Sequence, residues 1–420
     1  MAGAPRFPLA RLIGIGTGGL ALAAIWSTYN VFMPLLLGDF VESRALRGAI
    51  MGLDNVIAIV MIPVVGAWSD RVEGRWGRRL PFLLVGVPVA ALAFAGLPWA
   101  VITLWTLLAL DVVFLLAITL YRAPLVALLP DHVAPPERAA GNGVITLMAA
   151  LGAVVALLLI APAFDVARWL PFAAAGALAV VALAVVLVAA QRHPPFVERG
   201  AVQDEAPLVG GLLRDLRRLG DRAHRGPALL LVGLFAGFFG FAAVEAQFSV
   251  VATETLGMTG GEAGRLFGAA SLAFVALALP AGLAARRLGE LPTMAGGALV
   301  MAGALLLAAG TTQMAALAAF VGLAGAGWAF FLVPAYPLVA DQGGRDRVGF
   351  YTGLYYLFGS GAAIVAPGLA GLAMDLLGNR ALFAASALAL LLSAATVLVA
   401  GRRGLVTGRA VHGGEAGPGS

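Results

Sequence analysis

Two apolar stretches 210 residues apart end in the same way, and 210 is half of this 420-residue chain. The first reads Pro124-Leu-Val-Ala-Leu-Leu-Pro-Asp131 and the second Pro334-Ala-Tyr-Pro-Leu-Val-Ala-Asp341. Each sets a proline seven residues before an aspartate, with an arginine shortly after, Arg138 and Arg347. A second echo pairs Pro63-Val-Val-Gly66, ahead of Asp70-Arg71, with Pro280-Ala-Gly282, ahead of Arg286-Arg287. Proline removes a hydrogen bond from a helical ladder. Helix interruptions at corresponding places in two hydrophobic halves are the mark of a secondary transporter built by duplication.

The halves are too apolar for water. Hydrophobic residues make up 61% of the chain and charged residues 12%, at a mean hydropathy of +0.96, which describes a polytopic membrane protein. The 55 glycines suit helices packed closely in lipid. Cysteine is absent, which excludes disulfides, thiolate metal sites and cysteine nucleophiles. Every basic residue is an arginine, so lysine Schiff-base chemistry is excluded too. No cofactor or metal site is expected. The net charge of +5 does not signal nucleic acid, because the arginines sit in short loops rather than along one face.

Hydropathy predicts twelve membrane helices, near 10–37, 48–69, 80–98, 101–129, 141–163 and 170–190, then 227–251, 265–284, 292–310, 314–340, 350–374 and 381–400. The expected fold is all-α, with two pseudo-symmetric six-helix bundles at 1–190 and 227–401, a cytoplasmic connector at 191–226 and a disordered tail at 402–420. An N-terminus in the cytoplasm leaves 21 arginines inside and five outside, with Arg122 in a span. That asymmetry predicts both termini inside. The apolar run that follows Arg6 and Arg11 and extends to Leu37 is too long for the core of a cleaved signal. In the connector, Leu212, Leu213, Leu216 and Leu219 fit a surface-lying amphipathic helix, and a solvated tether fits equally.

The loop after the second span, Gly66-Ala-Trp-Ser-Asp70-Arg71 continuing to Gly77-Arg78-Arg79 and Pro81-Phe82, resembles the loop between helices 2 and 3 of the major facilitator superfamily. The usual pattern is G-x-x-x-D-(R/K)-x-G-(R/K)-(R/K), and here Asp70 and Gly77 stand four residues further apart. The longer form is similar to the sucrose:proton and glycoside-pentoside-hexuronide:cation symporter branches. Tyr121-Arg122-Ala-Pro124, Asp54-Asn55 and Gly353-Leu-Tyr355-Tyr356 add to the likeness. The resemblance implies the major facilitator fold, a monomer in the inner (plasma) membrane, and a cytoplasmic gate of Gly66, Asp70, Arg71, Gly77, Arg78, Arg79, Asp131 and Arg138. Physically, Asp70 at the end of the second span is expected near the start of the eleventh, where exposed N–H groups favour a carboxylate. The arginines can equally serve only to fix topology.

Four ionisable residues fall well inside predicted spans: Asp54, Asp111, Arg122 and Glu245. A charge in lipid costs about 3 kcal/mol on lenient scales, so each demands a cavity, a partner or a proton. All four are candidates for proton coupling or gating. Asp111 and Arg122 are eleven residues apart, about 16 Å along a helix, too far for a direct pair. Arg122 is left with either a structural partner, Asp70 or Asp131, or a coupling role. The four histidines are expected in loops. Ala58 and Ile62 stand where a melibiose-type sodium site has aspartates, which favours protons as the coupling ion.

A sugar needs hydrogen-bonding groups and aromatic planes. Candidates for a substrate cavity are Trp26, Tyr29, Asn30, Asn55, Tyr121, Glu245, Gln247, Trp328, Tyr336 and Tyr355, with Tyr351 and Tyr356 beside them. The resemblance implies that spans 1, 4, 7 and 10 line that cavity. The leading expectation is proton-coupled symport of a glycoside or disaccharide. An exporter of sugars or small amphipathic compounds is the alternative within transport. A membrane enzyme lacks a catalytic cluster, and an ATP-driven pump lacks GxxxxGK(S/T). A sensor or receptor is the alternative of another class; the 36-residue connector is too short for a signalling domain.

Overall fold

A computed structural model describes residues 9–196, 225–342 and 348–402. Among them no strand occurs, and twelve helical segments of 20 to 30 residues are long and apolar enough to cross a membrane. At 1.5 Å per residue the shortest spans about 30 Å, the thickness of a bilayer's hydrocarbon core. The expected connector helix around Leu212–Leu219, the tail and Arg347 lie outside the described residues.

The helices are α1 (Leu9–Gly38), α2 (Arg44–Met51), α3 (Leu53–Arg71), α4 (Leu80–Gly96), α5 (Leu104–His132), α6 (Arg138–Val154) and α7 (Leu170–Ala189). They continue with α8 (Arg225–Glu254), α9 (Gly260–Leu288), α10 (Glu290–Gly310), α11 (Met314–Asp341), α12 (Val348–Leu377) and α13 (Ala381–Arg402). The second span joins α2 to α3 across Gly52, and the fifth extends α6 through a π-helical turn at Val155–Ile160 and a 3-10 turn at Ala161–Asp165.

Every predicted span is present, and several run further than hydropathy suggests. The second begins at Arg44 rather than 48 because Ser43 caps it, its hydroxyl accepting the Leu46 N–H at 3.2 Å. The fourth begins in a capping box of Thr103 and Thr106 and passes through Pro124 and Pro130 to His132. Pro334 and Pro337 likewise sit inside α11.

The described chain forms two compact units. Unit 1 takes Met1–Ala201, Glu245–Ser271 and Pro367–Asn379; unit 2 takes Val202–Val244, Leu272–Ala366 and Arg380–Ser420. In unit 1, α1 packs on α6 and α7, and α4 on α5 and α7. Small residues set the distances: a Cβ on Gly152 would collide with the Leu20 carbonyl, and one on Gly176 would crowd the Ala91 carbonyl. In unit 2, α10 packs on α11 through Gly297 and Gly327, and Ser393 of α13 donates to the Gly233 carbonyl of α8 at 2.6 Å. With little hydrophobic drive between helices in lipid, such close backbone approach supplies much of the cohesion. Apolar side chains such as Leu92, Val188 and Leu279 point outward, as lipid-facing positions require. Trp99 and Trp169 pair at 6.3 Å near the ends of their spans, suited to a membrane interface.

Gly152→Ala is expected to lower stability by about 1–3 kcal/mol through overpacking. Gly303, which faces open space, should accept alanine without loss. Thermal melting of both variants in detergent checks the contrast; equal melting temperatures would contradict it.

Candidate functional site

Helices α1, α3, α5 and α8 bring the four intramembrane charges into one neighbourhood of unit 1. Asp54, in the first turn of α3, lies within electrostatic reach of Arg122 on α5, and Asp111 and Glu245 are both within reach of Asp54. Asp111 and Arg122, three turns apart on one helix, do not need to meet: the arginine serves Asp54 across the helix boundary. That differs from the expected partners Asp70 and Asp131, which take other arginines. Asp54 also accepts, at 2.6 Å each, the backbone N–H and the side-chain amide of Asn55.

Asp111 is 1% exposed, and its carboxyl receives the Tyr29 hydroxyl at 3.3 Å on Oδ2. Its Oδ1 has no hydrogen-bond partner among the described residues, nor has the indole Nε1 of Trp26. Trp26, Tyr29 and Phe114 form a ring cluster with centroids 5.5 to 6.1 Å apart. Glu245 has the Asn30 side chain as its partner. Of the three carboxyls, Asp54 has the Arg122 guanidinium within reach, while Asp111 and Glu245 each face Asp54 and a neutral side chain, Tyr29 or Asn30; a set of this kind can hold and release a proton.

The other cavity candidates divide. Tyr121 is buried against Gly86 and, with Gly18, Leu83, Leu125 and Val186, lines a small apolar cavity inside unit 1. The Gln247 amide is spent on backbone, donating to the carbonyls of Arg44 at 3.0 Å and Pro367 at 3.1 Å. In unit 2, Trp328 lies between Phe241, stacked at 4.0 Å, and Phe331, stacked at 5.3 Å. Tyr355 meets Phe238, Tyr336 and Tyr356 edge-on at 5.3 to 5.8 Å, and Tyr351 meets Phe350 in the same way at 5.3 Å.

At the arginine-rich end of unit 1, Asp131 is held by Arg78 at 2.6 Å and Arg79 at 3.1 Å. Arg79 also pairs with Asp70 at 2.5 Å and donates to the Ser69 hydroxyl, which in turn donates to the Gly66 carbonyl. Arg78 stands 3.9 Å from Asp70. Gly77 has φ +73°, and a Cβ there would strike the Arg192 carbonyl, so the turn requires glycine. The Arg192 guanidinium lies 4.4 Å over the Trp76 ring. Arg138 donates to the carbonyls of Pro130 and Val133, closing the end of α5. Arg71 ends α3 beside Asp70.

Sequence reasoning misses two features. Hydropathy puts His132 in a loop; it instead ends α5 and is 2% exposed. Its Nδ1 bonds the Leu128 carbonyl at 2.8 Å and its Nε2 accepts the Gln191 N–H at 2.9 Å, so the ring is the neutral Nδ1–H tautomer. The second is a charge cluster at the opposite end of the spans, where Arg44 and Arg47 meet Glu254 and Asp375. Arg44 and Arg47 stand three apart at the head of an apolar run, which is the signal the sequence offers.

Solved structures give the fold a context. A bacterial homolog of the human lysosomal transporter Spinster, inward-facing and unoccupied, matches with a TM-score of 0.76 at 14% identity, over 97% of this chain and all of that one. A point mutant of the nucleoside transporter NupG matches at 0.74 and 13% identity, over 94% of this chain and all of its own. The human organic anion transporter MFSD10 matches at 0.64 and 20% identity, over 93% of this chain and all of its own. Among curated sequences, an uncharacterized symporter of Synechocystis sp., sll1374, is 36% identical over 52 residues, 12% of this chain; the match spans about a tenth of that relative's length. The sequence pattern of the Major Facilitator Superfamily matches residues 15–253 and again 230–415. A twelve-span helical fold and two matches that together cover nearly the whole chain lead to one conclusion: this protein belongs to the Major Facilitator Superfamily.

Proposed function

We propose that this transporter is a proton-coupled symporter of a glycoside, most simply a disaccharide, working by alternating access in the plasma membrane as a monomer with both termini cytoplasmic. The observation that carries the reading is the shared charge neighbourhood of Asp54, Asp111, Glu245 and Arg122 with Tyr29 and Asn30. Asp111 is the natural proton carrier, buried with one hydroxyl partner and one free oxygen. Asp54 with Arg122 is the element that senses it, since a charge gained or lost on Asp111 alters the field at Asp54. Substrate and proton then stabilise one another's bound state, which is coupling. The loop from Ser69 to Phe82 and the short match to a symporter support assignment to the sucrose:proton and glycoside:cation branch. The six-plus-six division of the sequence supplies the two moving halves.

In this reading the cluster of Asp70, Arg78, Arg79 and Asp131 is the cytoplasmic gate. Its two aspartates differ in burial, with side chains 55% exposed at Asp70 and 5% at Asp131. Asp131→Asn leaves two arginines without their buried partner and is expected to cost about 3 kcal/mol. Asp70→Asn is expected to cost less than about 1 kcal/mol while still slowing transport. Melting curves and initial uptake rates of the two variants separate stability from gating; equal losses of stability would overturn the assignment of Asp131 as the buried anchor.

For coupling, cells lacking sugar uptake and expressing the protein should alkalinise their medium when one disaccharide from a panel is added, and an uncoupler should abolish the response. Asp111→Asn should remove alkalinisation yet keep exchange of preloaded sugar within about threefold. Full alkalinisation by Asp111→Asn would remove the proton role from that residue. Silence across the panel, with protein in the membrane, would sink glycoside symport.

A further inference from the structure

On the arginine-rich side of unit 1, the stretch 190–196 that follows α7 crosses the end of α5 and leans on the turn before α4. Ala190 ends α7, its N–H held by the Val186 carbonyl at 2.8 Å. Gln191 then donates its backbone N–H to Nε2 of His132 at 2.9 Å, and Phe196 donates its own to the Asp131 carbonyl at 3.2 Å. Between those two bonds the Arg192 guanidinium covers the Trp76 ring, and the Arg192 carbonyl fills the place that a Cβ on Gly77 would need. One short path therefore touches both parts of the cluster assigned above as the gate: the helix end that presents Asp131 and the turn that presents Arg78 and Arg79.

The His132 ring is where this path can be switched. It is 2% exposed, and its Nδ1–H is spent on the Leu128 carbonyl at 2.8 Å, so Nε2 binds Gln191 only as an acceptor. A proton on the ring turns Nε2 into a donor that faces the Gln191 N–H, and a hydrogen bond becomes a meeting of two donors. The charged groups that face the ring are Asp131 on its own helix and Arg11 on α1. Asp131 is already answered by Arg78 and Arg79, and Arg11 opposes a second cation beside it. Neither the proton-coupling reading of the intramembrane carboxyls nor the identity of the cargo enters this arrangement.

We infer that residues 191–196 are a pH-sensitive strap: with His132 neutral the strap is bound across the end of α5 and braces the turn at Trp76 and Gly77, and a proton on Nε2 releases it. Release removes the Arg192 contacts with Trp76 and Gly77, and with them the support for the turn that aims Arg78 and Arg79 at Asp131. Acid at this face thus loosens the gate cluster through a group that is not one of its members, whatever ion or cargo is carried.

Because the chain has no cysteine, Ala190→Cys, at a 6% exposed position where the strap begins, reports release through its rate of maleimide labelling. The rate is read on full-length protein in detergent and compared between variants at the same pH, so that ionisation of the thiol itself cancels. His132→Gln offers an uncharged acceptor in place of Nε2 and should keep the strap bound. The rate with His132, relative to His132→Gln, should be unchanged at about pH 8 and rise about fivefold by about pH 5, the effect of one lost hydrogen bond. Gln191→Pro deletes the N–H, and it suits Ala190, whose ψ of 133° is already extended as a residue before proline requires. It should label about fivefold faster than the parent at about pH 8 and no faster at about pH 5. A flat ratio against His132→Gln would overturn the strap, and so would a Gln191→Pro rate equal to the parent's at the higher pH. A pH response lost in His193→Gln but kept in His132→Gln would overturn the choice of histidine. Ala90→Cys, fully buried on α4, should stay unreactive throughout; its labelling in acid would overturn strap release in favour of general unfolding.

Discussion

A carboxylate in hydrocarbon costs several kcal/mol, and the cost falls only if another group answers the charge or a proton cancels it. This chain sets Asp54, Asp111 and Glu245 in its spans and supplies Arg122 as the intramembrane cation. The helices must therefore run so that Asp54 on α3 comes within reach of Arg122 on α5, with Tyr29 and Asn30 of α1 presented to Asp111 and Glu245. The packing of α1, α4, α5, α6 and α7 serves that placement. Glycines let the backbones close to distances that a Cβ would forbid, which fixes the rotation of each helix and hence where its one or two polar residues point.

The helix ends follow a different rule. Water and headgroups lower the cost of charge there, so carboxylates can cap helix starts and arginines can close carbonyl ends. Asp375 at the start of α2 and Arg138 at the end of α5 do this from neighbouring segments. Each such contact satisfies a terminus and joins two spans. Being partly solvated, contacts of this kind each contribute modestly.

The span count was legible because long apolar runs leave little choice in lipid, and the family because Ser69 to Phe82 and the region around Pro124 carry a recognisable text. Which residues share a neighbourhood was only half legible. Asp54, Asp111, Arg122 and Glu245 stand out as charges in spans, yet nothing in their spacing says that Arg122 answers Asp54, because that depends on how α3 and α5 cross. Tyr121 and Gln247 look like polar groups at cavity depth. The first packs against Gly86, and the second bonds the carbonyls of Arg44 and Pro367. His132 looks like a loop residue because the predicted span stops short at the second proline, whereas capping and the Arg138 contacts carry α5 further. The Arg44 cluster is invisible for the same reason: its members lie in span-end turns that hydropathy discards.

Asp54 and Arg122 answer each other's charge inside the membrane. A double-mutant cycle of Asp54→Asn and Arg122→Gln, scored by unfolding free energy in detergent, tests it directly. Each single change should destabilise the protein, and the double variant should recover at least about 1 kcal/mol relative to the sum of the two. Strict additivity would show that the two charges are compensated separately, and the account of the intramembrane site would fail.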